Sequence, residues 1–193
     1  MQAGFGQLMI AFGANLPIDA QTPADTLRLA FSALVSGGLS GLRLSTIYAT
    51  PCFPAGAGPD YVNAAAAGPI PDGWDAARVL ALLHRIEDDF GRKREQRWGM
   101  RTLDLDLVAF GSAILPDPET HAQWRGLDAE TQRKTAPTEL ILPHPRLQDR
   151  AFVLVPLADV APDWRHPVLG LTTRQLLAAL SSDDVAQVVA LAG

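Results

Sequence analysis

The chain has 193 residues, of which 48% are hydrophobic and 19% charged, and this composition predicts one soluble globular domain. Its formal net charge of −5 argues against a nucleic-acid partner, because general nucleic-acid-binding proteins are usually basic. The single cysteine, Cys52, excludes an intramolecular disulfide, and we find neither a signal-peptide pattern nor an apolar run long enough to span a membrane. We therefore expect a cytoplasmic protein without a membrane partner.

The first third of the chain predicts a strand, a helix and a second strand. A short apolar run at 8–12 ends at Gly13 and indicates a buried strand. A helix is predicted to begin at a Thr22 cap that a proline follows, and to end at the glycine pair 37–38. Alternating side chains predict the second strand over 42–48.

The next segment predicts a loop, a strand and another helix. Residues 50–59 are rich in proline and glycine and form a predicted loop, which is a common location for ligand contacts. A third strand is predicted at 61–67, although its alanines favour strands only weakly. Asp75 is the predicted cap of a helix that ends at Gly91. Glu87 lies off the apolar stripe of this helix, so it is either solvated or faces a ligand.

A basic segment precedes a strand that contains two carboxylates. Residues 92–101 hold five of the sixteen basic residues: Arg92, Lys93, Arg94, Arg97 and Arg101. In the strand predicted at 103–110, Asp104 and Asp106 share one face, about 7 Å apart. Such a pair can hold Mg²⁺, and arginines bind phosphate, so the stretch predicts a metal–polyphosphate site. A half-buried strand beside a solvated connector is the alternative interpretation.

The remainder of the chain predicts an insertion and a helical tail. Residues 116–138 are polar and mostly aperiodic, which favours an inserted excursion over a functional lid. His144 lies between two prolines. A helix is predicted at about 150–160, and Thr172 or Thr173 is the predicted cap of a final short helix.

The order of these elements predicts an α+β fold. Short connections between strands favour a mainly antiparallel sheet with helices packed on one face, which is the ferredoxin-like layout, followed by a helical C-terminal part. We expect one domain over residues 1–193, with the insertion at about 116–138.

Five segments together resemble a known family. They read AFGANL at 11–16, YATP at 48–51, PDYVNA at 59–64, RIEDDFGRKREQRWGMRTLDLDLVAFG at 85–111 and LPHPRLQDRAFVLVPLADVAP at 142–162. The sequence resembles the 6-hydroxymethyl-7,8-dihydropterin pyrophosphokinases of folate biosynthesis. The resemblance covers nearly the whole chain apart from the insertion and the first few residues. It is weaker at Met100 and Pro145, where the family usually has a proline and can have an aromatic residue.

The resemblance implies transfer of the pyrophosphoryl group of ATP to the hydroxymethyl group of the pterin, with two Mg²⁺ ions as cofactors and AMP as the second product. The implied catalytic residues are Arg92, Arg94, Asp104 and Asp106, and the two aspartates are also the implied metal ligands. The implied ATP-binding residues are Glu87, Arg94, Arg97, Arg101, His144 and Arg150. The implied pterin-binding residues are Thr50, Pro51, Tyr61, Asn63, Trp98 and Phe152.

Two other functions remain open at the level of sequence. A non-catalytic nucleotide-binding effector module would share the fold and would need no pterin pocket. An RNA-binding ferredoxin-like domain is disfavoured by the net acidity and by the lack of paired aromatic residues on the central strands. We expect a monomer whose only partners are small-molecule substrates.

Overall fold

The computed structural model describes residues 6–52, 58–91 and 102–192, with the side chains of 129, 132 and 133 excepted. Within these ranges the strands are β1 (Gln7–Ala14), β2 (Arg43–Leu44), β3 (Tyr48–Thr50), β4 (Tyr61–Pro69), β5 (Asp104–Phe110) and β6 (Val189–Ala190). The helices are α1 (Pro23–Ser36), α2 (Ala76–Asp89), α3 (Pro118–Gly126), α4 (Ala129–Lys134), α5 (Ala151–Val160), α6 (Thr173–Ala178) and α7 (Ser182–Ala186). A 3₁₀ turn at Leu147–Asp149 precedes α5.

The strands form one antiparallel sheet in the order β5-β1-β4-β3-β6, and β2 also pairs with β4. The predicted α+β, ferredoxin-like class with a mainly antiparallel sheet is confirmed. None of the described helices is both long enough and apolar enough to cross a membrane.

Helices cover both faces of the sheet, so the prediction that they pack on one face is wrong. On one face α1 and α2 pack against Leu8, Ile10 and Phe12 of β1. On the other face α5 covers Met9 and Ala11 of the same strand, and α6 packs against α5. The reason lies in the central strands, whose consecutive apolar residues need a helical cover on both faces.

The predicted starts of α1 and α2 are confirmed. Thr22 accepts a hydrogen bond from the Asp25 N–H at 3.2 Å, and Asp25 accepts one from the Thr22 N–H at 3.3 Å, which makes a capping box. Asp75 accepts a hydrogen bond from the Arg78 N–H at 2.7 Å. These side chains satisfy backbone donors that have no partner inside the helix.

The strand predicted at 42–48 is divided into β2 and β3 by a long-range contact. Ser45 donates its N–H to the Ala65 carbonyl at 2.8 Å, and its hydroxyl accepts the Ala65 N–H at 2.9 Å. The hydroxyl thus takes the place of a backbone carbonyl in the ladder. Thr46 then donates its N–H to Asp159 at 3.1 Å, so regular pairing resumes only at Tyr48.

The segment 116–138, which was predicted to be an insertion of mostly aperiodic sequence, contains two short helices. Asp117 accepts hydrogen bonds from the N–H groups of the second and third residues of α3, Glu119 and Thr120, both at 2.9 Å. Asp128 does the same for α4, also at 2.9 Å. Few apolar residues repeat at helical spacing here, so capping carries the local signal that hydrophobic periodicity lacks.

The helical tail agrees with the prediction and extends beyond it. Helix α5 continues through Pro156, and Thr172 caps α6 in a second capping box. Helix α7 and strand β6 were not predicted, and β6 adds an edge to the sheet by pairing with β3.

Candidate active site

A row of polar positions crosses the α5 side of the sheet near one end. Asp104 on β5 lies opposite Gly13 on β1, and Gly13 lies opposite Asn63 on β4. Directly opposed residues of an antiparallel pair share a face, and neighbouring strands are about 4.8 Å apart. The register therefore places the Asp104 and Asn63 backbones about 10 Å apart, with only a glycine between them.

Asp104 and Asp106 share the face that the alternating pattern predicted. Both are half-buried, whereas Leu105 and Leu107 point into the core on the opposite face. Carboxylate oxygens are the ligands that Mg²⁺ favours, and Mg²⁺ commonly combines one or two carboxylates with phosphate oxygens and water. Among the described residues no group of three or more His, Cys, Asp or Glu side chains could hold a metal ion. The pair itself supplies the two carboxylates that Mg²⁺ combines with phosphate oxygens.

Glu87, on α2, contacts the edge strand β5 from the α1–α2 face. Its side chain is fully buried, and one carboxylate oxygen accepts the Leu105 N–H at 2.8 Å. The interpretation of Glu87 as a solvated residue is therefore wrong. Leu105 lies between the two aspartates in sequence, so Glu87 fixes the backbone that carries both of them.

His144 is attached to the same strand. Its backbone N–H donates to the Val108 carbonyl at 2.8 Å, and its Nδ1 accepts the Arg146 N–H at 3.1 Å. Because Nδ1 is an acceptor, a neutral ring carries its hydrogen on Nε2. Desolvation and the positive charges of Arg150 and Arg146 lower the pKa of His144 to about 3, although the charge of Asp104 acts in the opposite direction. The ring is neutral at pH 7 and presents an N–H donor.

A small pocket joins these groups. Asp106, His144 and Arg150 supply its polar lining, and Ala11, Val108, Leu147 and Val153 supply its apolar lining. The Arg150 guanidinium lies 5.7 Å from the centre of the Phe152 ring. A carboxylate, a neutral N–H donor and a permanent cation thus lie side by side at this pocket, and groups of these kinds contact phosphate oxygens and their metal ions.

The β3–β4 end of the row holds four of the predicted pterin-binding residues: Thr50, Pro51, Tyr61 and Asn63. Asn63 is buried and donates to the Thr50 hydroxyl at 2.7 Å. Tyr61 is half-buried opposite Thr50, and Pro51 is exposed. Phe152 is 40% exposed, an unusual position for a large apolar ring that only packs a core.

Two nearby residues were not assigned by sequence. Gly13 lies between the aspartates and Asn63, and only the sheet register shows this position. Asn15 is buried and donates to the Pro59 carbonyl at 3.2 Å, which ties the end of the 50–59 loop to β1. The adjacent motif GANL was visible in the sequence, but the partner of its asparagine was not.

The basic segment contains the rest of the predicted site. Five predicted site residues lie outside the described residues: Arg92, Arg94, Arg97, Trp98 and Arg101. Their roles remain predictions from sequence.

Comparisons with known proteins agree with the geometry. Residues 9–162 match the family model described as 7,8-dihydro-6-hydroxymethylpterin-pyrophosphokinase (HPPK). The chain is 34% identical to a 2-amino-4-hydroxy-6-hydroxymethyldihydropteridine pyrophosphokinase of Pseudomonas aeruginosa over 183 residues, which is 93% of this chain and 94% of the relative. It is 38% identical to a protein of the same name from Synechocystis over 119 residues, which is 62% of this chain and 50% of that protein.

A solved structure supports the fold. The crystal structure of a Plasmodium falciparum HPPK-DHPS triple mutant with SDX-DHP aligns with a TM-score of 0.60 at 15% identity. The alignment covers 90% of this chain and 44% of that one. This chain therefore spans about half the length of the Synechocystis relative and less than half of the Plasmodium chain.

Proposed function

Because this chain belongs to the 7,8-dihydro-6-hydroxymethylpterin-pyrophosphokinase family, we propose that it transfers the pyrophosphoryl group of MgATP to the hydroxymethyl group of 6-hydroxymethyl-7,8-dihydropterin. The bond between the β-phosphorus of ATP and the oxygen that bridges it to the α-phosphorus breaks. A new bond forms between the β-phosphorus and the pterin hydroxymethyl oxygen. AMP leaves with the bridging oxygen, and the hydroxyl proton is released. The protein is thus an ATP-dependent diphosphotransferase of folate synthesis.

The row from Asp104 across Gly13 to Asn63 is the observation that carries this proposal. It supports two half-sites on the strands that flank β1, one on β5 suited to a metal–triphosphate and the other on β4 suited to a polar heterocycle. A glycine between them leaves room for the acceptor oxygen to approach the phosphorus. Phosphoryl-type transfer needs this positioning and charge stabilisation more than covalent help from the protein.

The nucleotide half-site uses charge and fixed donors. Asp104 and Asp106 would hold two Mg²⁺ ions together with phosphate oxygens, and the ions would neutralise charge on the triphosphate. Arg150 supplies a permanent cation, and His144 supplies the Nε2–H donor derived above. Glu87 keeps the aspartates in register through the Leu105 N–H. The arginines of the segment 92–101 would complete the charge balance.

The pterin half-site uses an amide and aromatic rings. The Asn63 side chain offers both a donor and an acceptor, which match the amide edge of a pterin. The exposed face of Phe152 can stack on the flat heterocycle, and we assign Trp98 to the opposite side. Thr50 holds the Asn63 amide in place by accepting its N–H at 2.7 Å.

The test is AMP formation from MgATP, measured with and without 6-hydroxymethyl-7,8-dihydropterin. We expect pterin-dependent AMP from the wild type. We expect Asp106→Asn to lower kcat by about a thousandfold, in the range that single electrostatic contacts to a transition state provide. Asp72→Asn is the matched control, since Asp72 is an exposed turn residue, and it should behave as the wild type.

Two results would contradict the proposal. AMP formation that ignores the pterin would remove the acceptor assignment. ATP binding without any AMP would favour the non-catalytic effector module instead.

Dependence of the rate on Mg²⁺ concentration at saturating MgATP would test the second ion, because a one-ion site is already saturated there.

The proposal extends to location and assembly. We assign the protein to the cytoplasm, where ATP is available and the Cys52 thiol would stay reduced. We assign it a monomeric state, and light scattering of the purified protein measures the mass directly.

A further inference from the structure

The segment 116–138 has no role in the reaction described so far, yet it contacts a loop of the site. His121 is the buried residue of α3, with no exposed surface. Its Nε2 lies 3.0 Å from the Pro143 carbonyl oxygen. A carbonyl oxygen only accepts hydrogen bonds, so Nε2 carries the hydrogen and His121 donates.

The acceptor belongs to the peptide unit that leads into His144. The Pro143 carbonyl and the His144 N–H are two ends of one rigid plane. The oxygen accepts from His121 of α3, and the N–H donates to the Val108 carbonyl of β5 at 2.8 Å. The plane is therefore held on one side by the insertion and on the other by the strand that carries the aspartates. Its orientation sets the direction in which the His144 side chain leaves the backbone.

A second buried histidine, His166, lies near His121. His166 has no exposed surface, and its Nδ1 accepts the N–H groups of Val168 and Leu169, both at 3.2 Å. A neutral His166 therefore carries its hydrogen on Nε2, whereas a neutral His121 leaves Nδ1 as an acceptor. The two rings are 6.3 Å apart, and these two remaining nitrogens are of complementary type. Neither has a hydrogen-bond partner among the described residues.

We propose that His121 is a positioning residue for the nucleotide half-site: it holds the Pro143–His144 peptide so that His144 faces the pocket shared with Asp106 and Arg150. The inference rests on the proposed function, because it assigns His144 to ATP. It assigns the segment 116–138 a role that its polar sequence did not indicate. Helix α3 acts as a brace for one peptide plane and has no contact with substrate in this role.

A purely structural role for α3 makes a different prediction. If His121 only stabilised the fold, its loss would lower the thermal stability and affect both substrates alike. If it positions His144, its loss raises the KM for MgATP and leaves the KM for the pterin unchanged.

Two substitutions separate these roles. His121→Leu keeps an apolar side chain of similar bulk but removes the donor, and we expect the KM for MgATP to rise about tenfold, the range for a lost buried hydrogen bond. His121→Gln keeps an N–H donor at the reach of Nε2 and should restore the KM to within about twofold of the wild type. The control is Lys134→Ala, an exposed residue of α4 that should change nothing.

A double-mutant cycle with His144→Ala decides whether His121 acts through His144. The tenfold effect of His121→Leu should fall below about twofold in the His144→Ala background, because coupled residues are not additive. Equal effects in both backgrounds, or equal losses for Leu and Gln, would overturn the inference. The equilibrium affinity for MgATP gives the same comparison without turnover. It therefore tests His121 even if no AMP forms and the proposed function fails.

Discussion

The two faces of the sheet are built from the same strands but serve different ends. On the α1–α2 face, large aliphatic side chains such as Leu8, Ile10 and Leu83 are completely buried. On the α5 face, the same strand β1 contributes the smaller Ala11 and Gly13, and Asp104 and Asp106 of β5 are only half-buried. Both faces have a core, but only the α5 face leaves part of the sheet for ligands.

The difference shows how a strand can carry a core and a site together. Along β5, Leu105 and Leu107 point into the α1–α2 core, and Asp104 and Asp106 point to the α5 face. Burying the leucines fixes the register, and a shift by one residue would exchange every side chain between the faces. The core on one face therefore sets the position of the carboxylates on the other.

A cavity in the α1–α2 face, which is the closed face of the sheet, should lower the stability of the fold and leave kcat unchanged. Leu83 on α2 is fully buried, so Leu83→Ala should lower the free energy of unfolding by about 3 kcal/mol, as is usual when a core leucine is truncated. Urea unfolding measures the loss. At a temperature where the variant is folded, its kcat should equal that of the wild type, the reverse of the result expected for Asp106→Asn.

The control for this prediction is Leu29→Ala. Leu29 is on α1 but 41% exposed, so its truncation should change the stability by less than about 0.5 kcal/mol. A loss of kcat in folded Leu83→Ala would mean that the closed face takes part in the chemistry, and the division between the faces would fail.

Filling the space above the polar row should lower the activity and leave the stability unchanged, the reverse of the result expected for Leu83→Ala. A Cβ at Gly13 would lie 3.5 Å from the Asn63 Oδ1 and 3.9 Å from the Asp104 Cβ, which are ordinary contact distances. Gly13→Ala should therefore be tolerated. Gly13→Val adds two methyl groups between the half-sites, and we expect kcat/KM to fall about a hundredfold because reacting groups displaced by about 1 Å lose that much.

Stability distinguishes a blocked site from a damaged strand. Valine favours strands, so Gly13→Val should unfold at the same urea concentration as the wild type or a higher one. Gly126→Ala is the matched glycine control, because nothing lies within 4 Å of its added Cβ. Full activity in Gly13→Val would show that the transfer does not occur above this residue.

The sequence predicted correctly those features that depend only on the spacing of neighbouring residues, namely the alternation of a strand and the caps of two helices. The alternation around Asp104 and Asp106 requires only the period of a strand, and the caps at Thr22 and Asp75 require only a side chain three residues before its backbone partner. These elements were therefore correct before the structure was known. Asp104, Asp106 and Asn63 lie on one face of the sheet, whereas the roles of the residues that match family motifs stay predictions.

Long-range contacts explain what the sequence did not reveal. Glu87 was placed off the apolar stripe, yet it is buried because the Leu105 N–H at the sheet edge needs an acceptor. Ser45 divides a strand through Ala65, which is twenty residues away. The choice of sheet face for each helix depends on packing, and an apolar stripe shows only which side of a helix is buried.

The last prediction concerns the protonation of His166, a buried histidine on the α5 side of the sheet. His166 lies beside Trp164 at the end of the α5-side core, with ring centres 5.6 Å apart. Desolvation, with His121 and Arg125 nearby, lowers the pKa of His166 from 6.5 to about 4. The unfolded chain therefore binds a proton at His166 as the pH falls through 6.5, and the folded chain does so only near 4. The stability that this difference contributes is complete above pH 6.5 and is lost as the pH falls to 4.

His166→Asn isolates this contribution, since its Oδ1 can still accept the Val168 and Leu169 N–H groups but cannot be protonated. Between pH 7 and pH 5 the wild type should lose about 2 kcal/mol more unfolding free energy than the variant, as linkage requires for a shift of this direction and size. Urea unfolding at both pH values measures the difference. Carboxylates with lowered pKa, such as that of Asp117, destabilise both proteins equally in acid and cancel in the comparison. Parallel pH profiles would mean that His166 titrates normally in the folded protein, and the buried histidine pair would then be open to water.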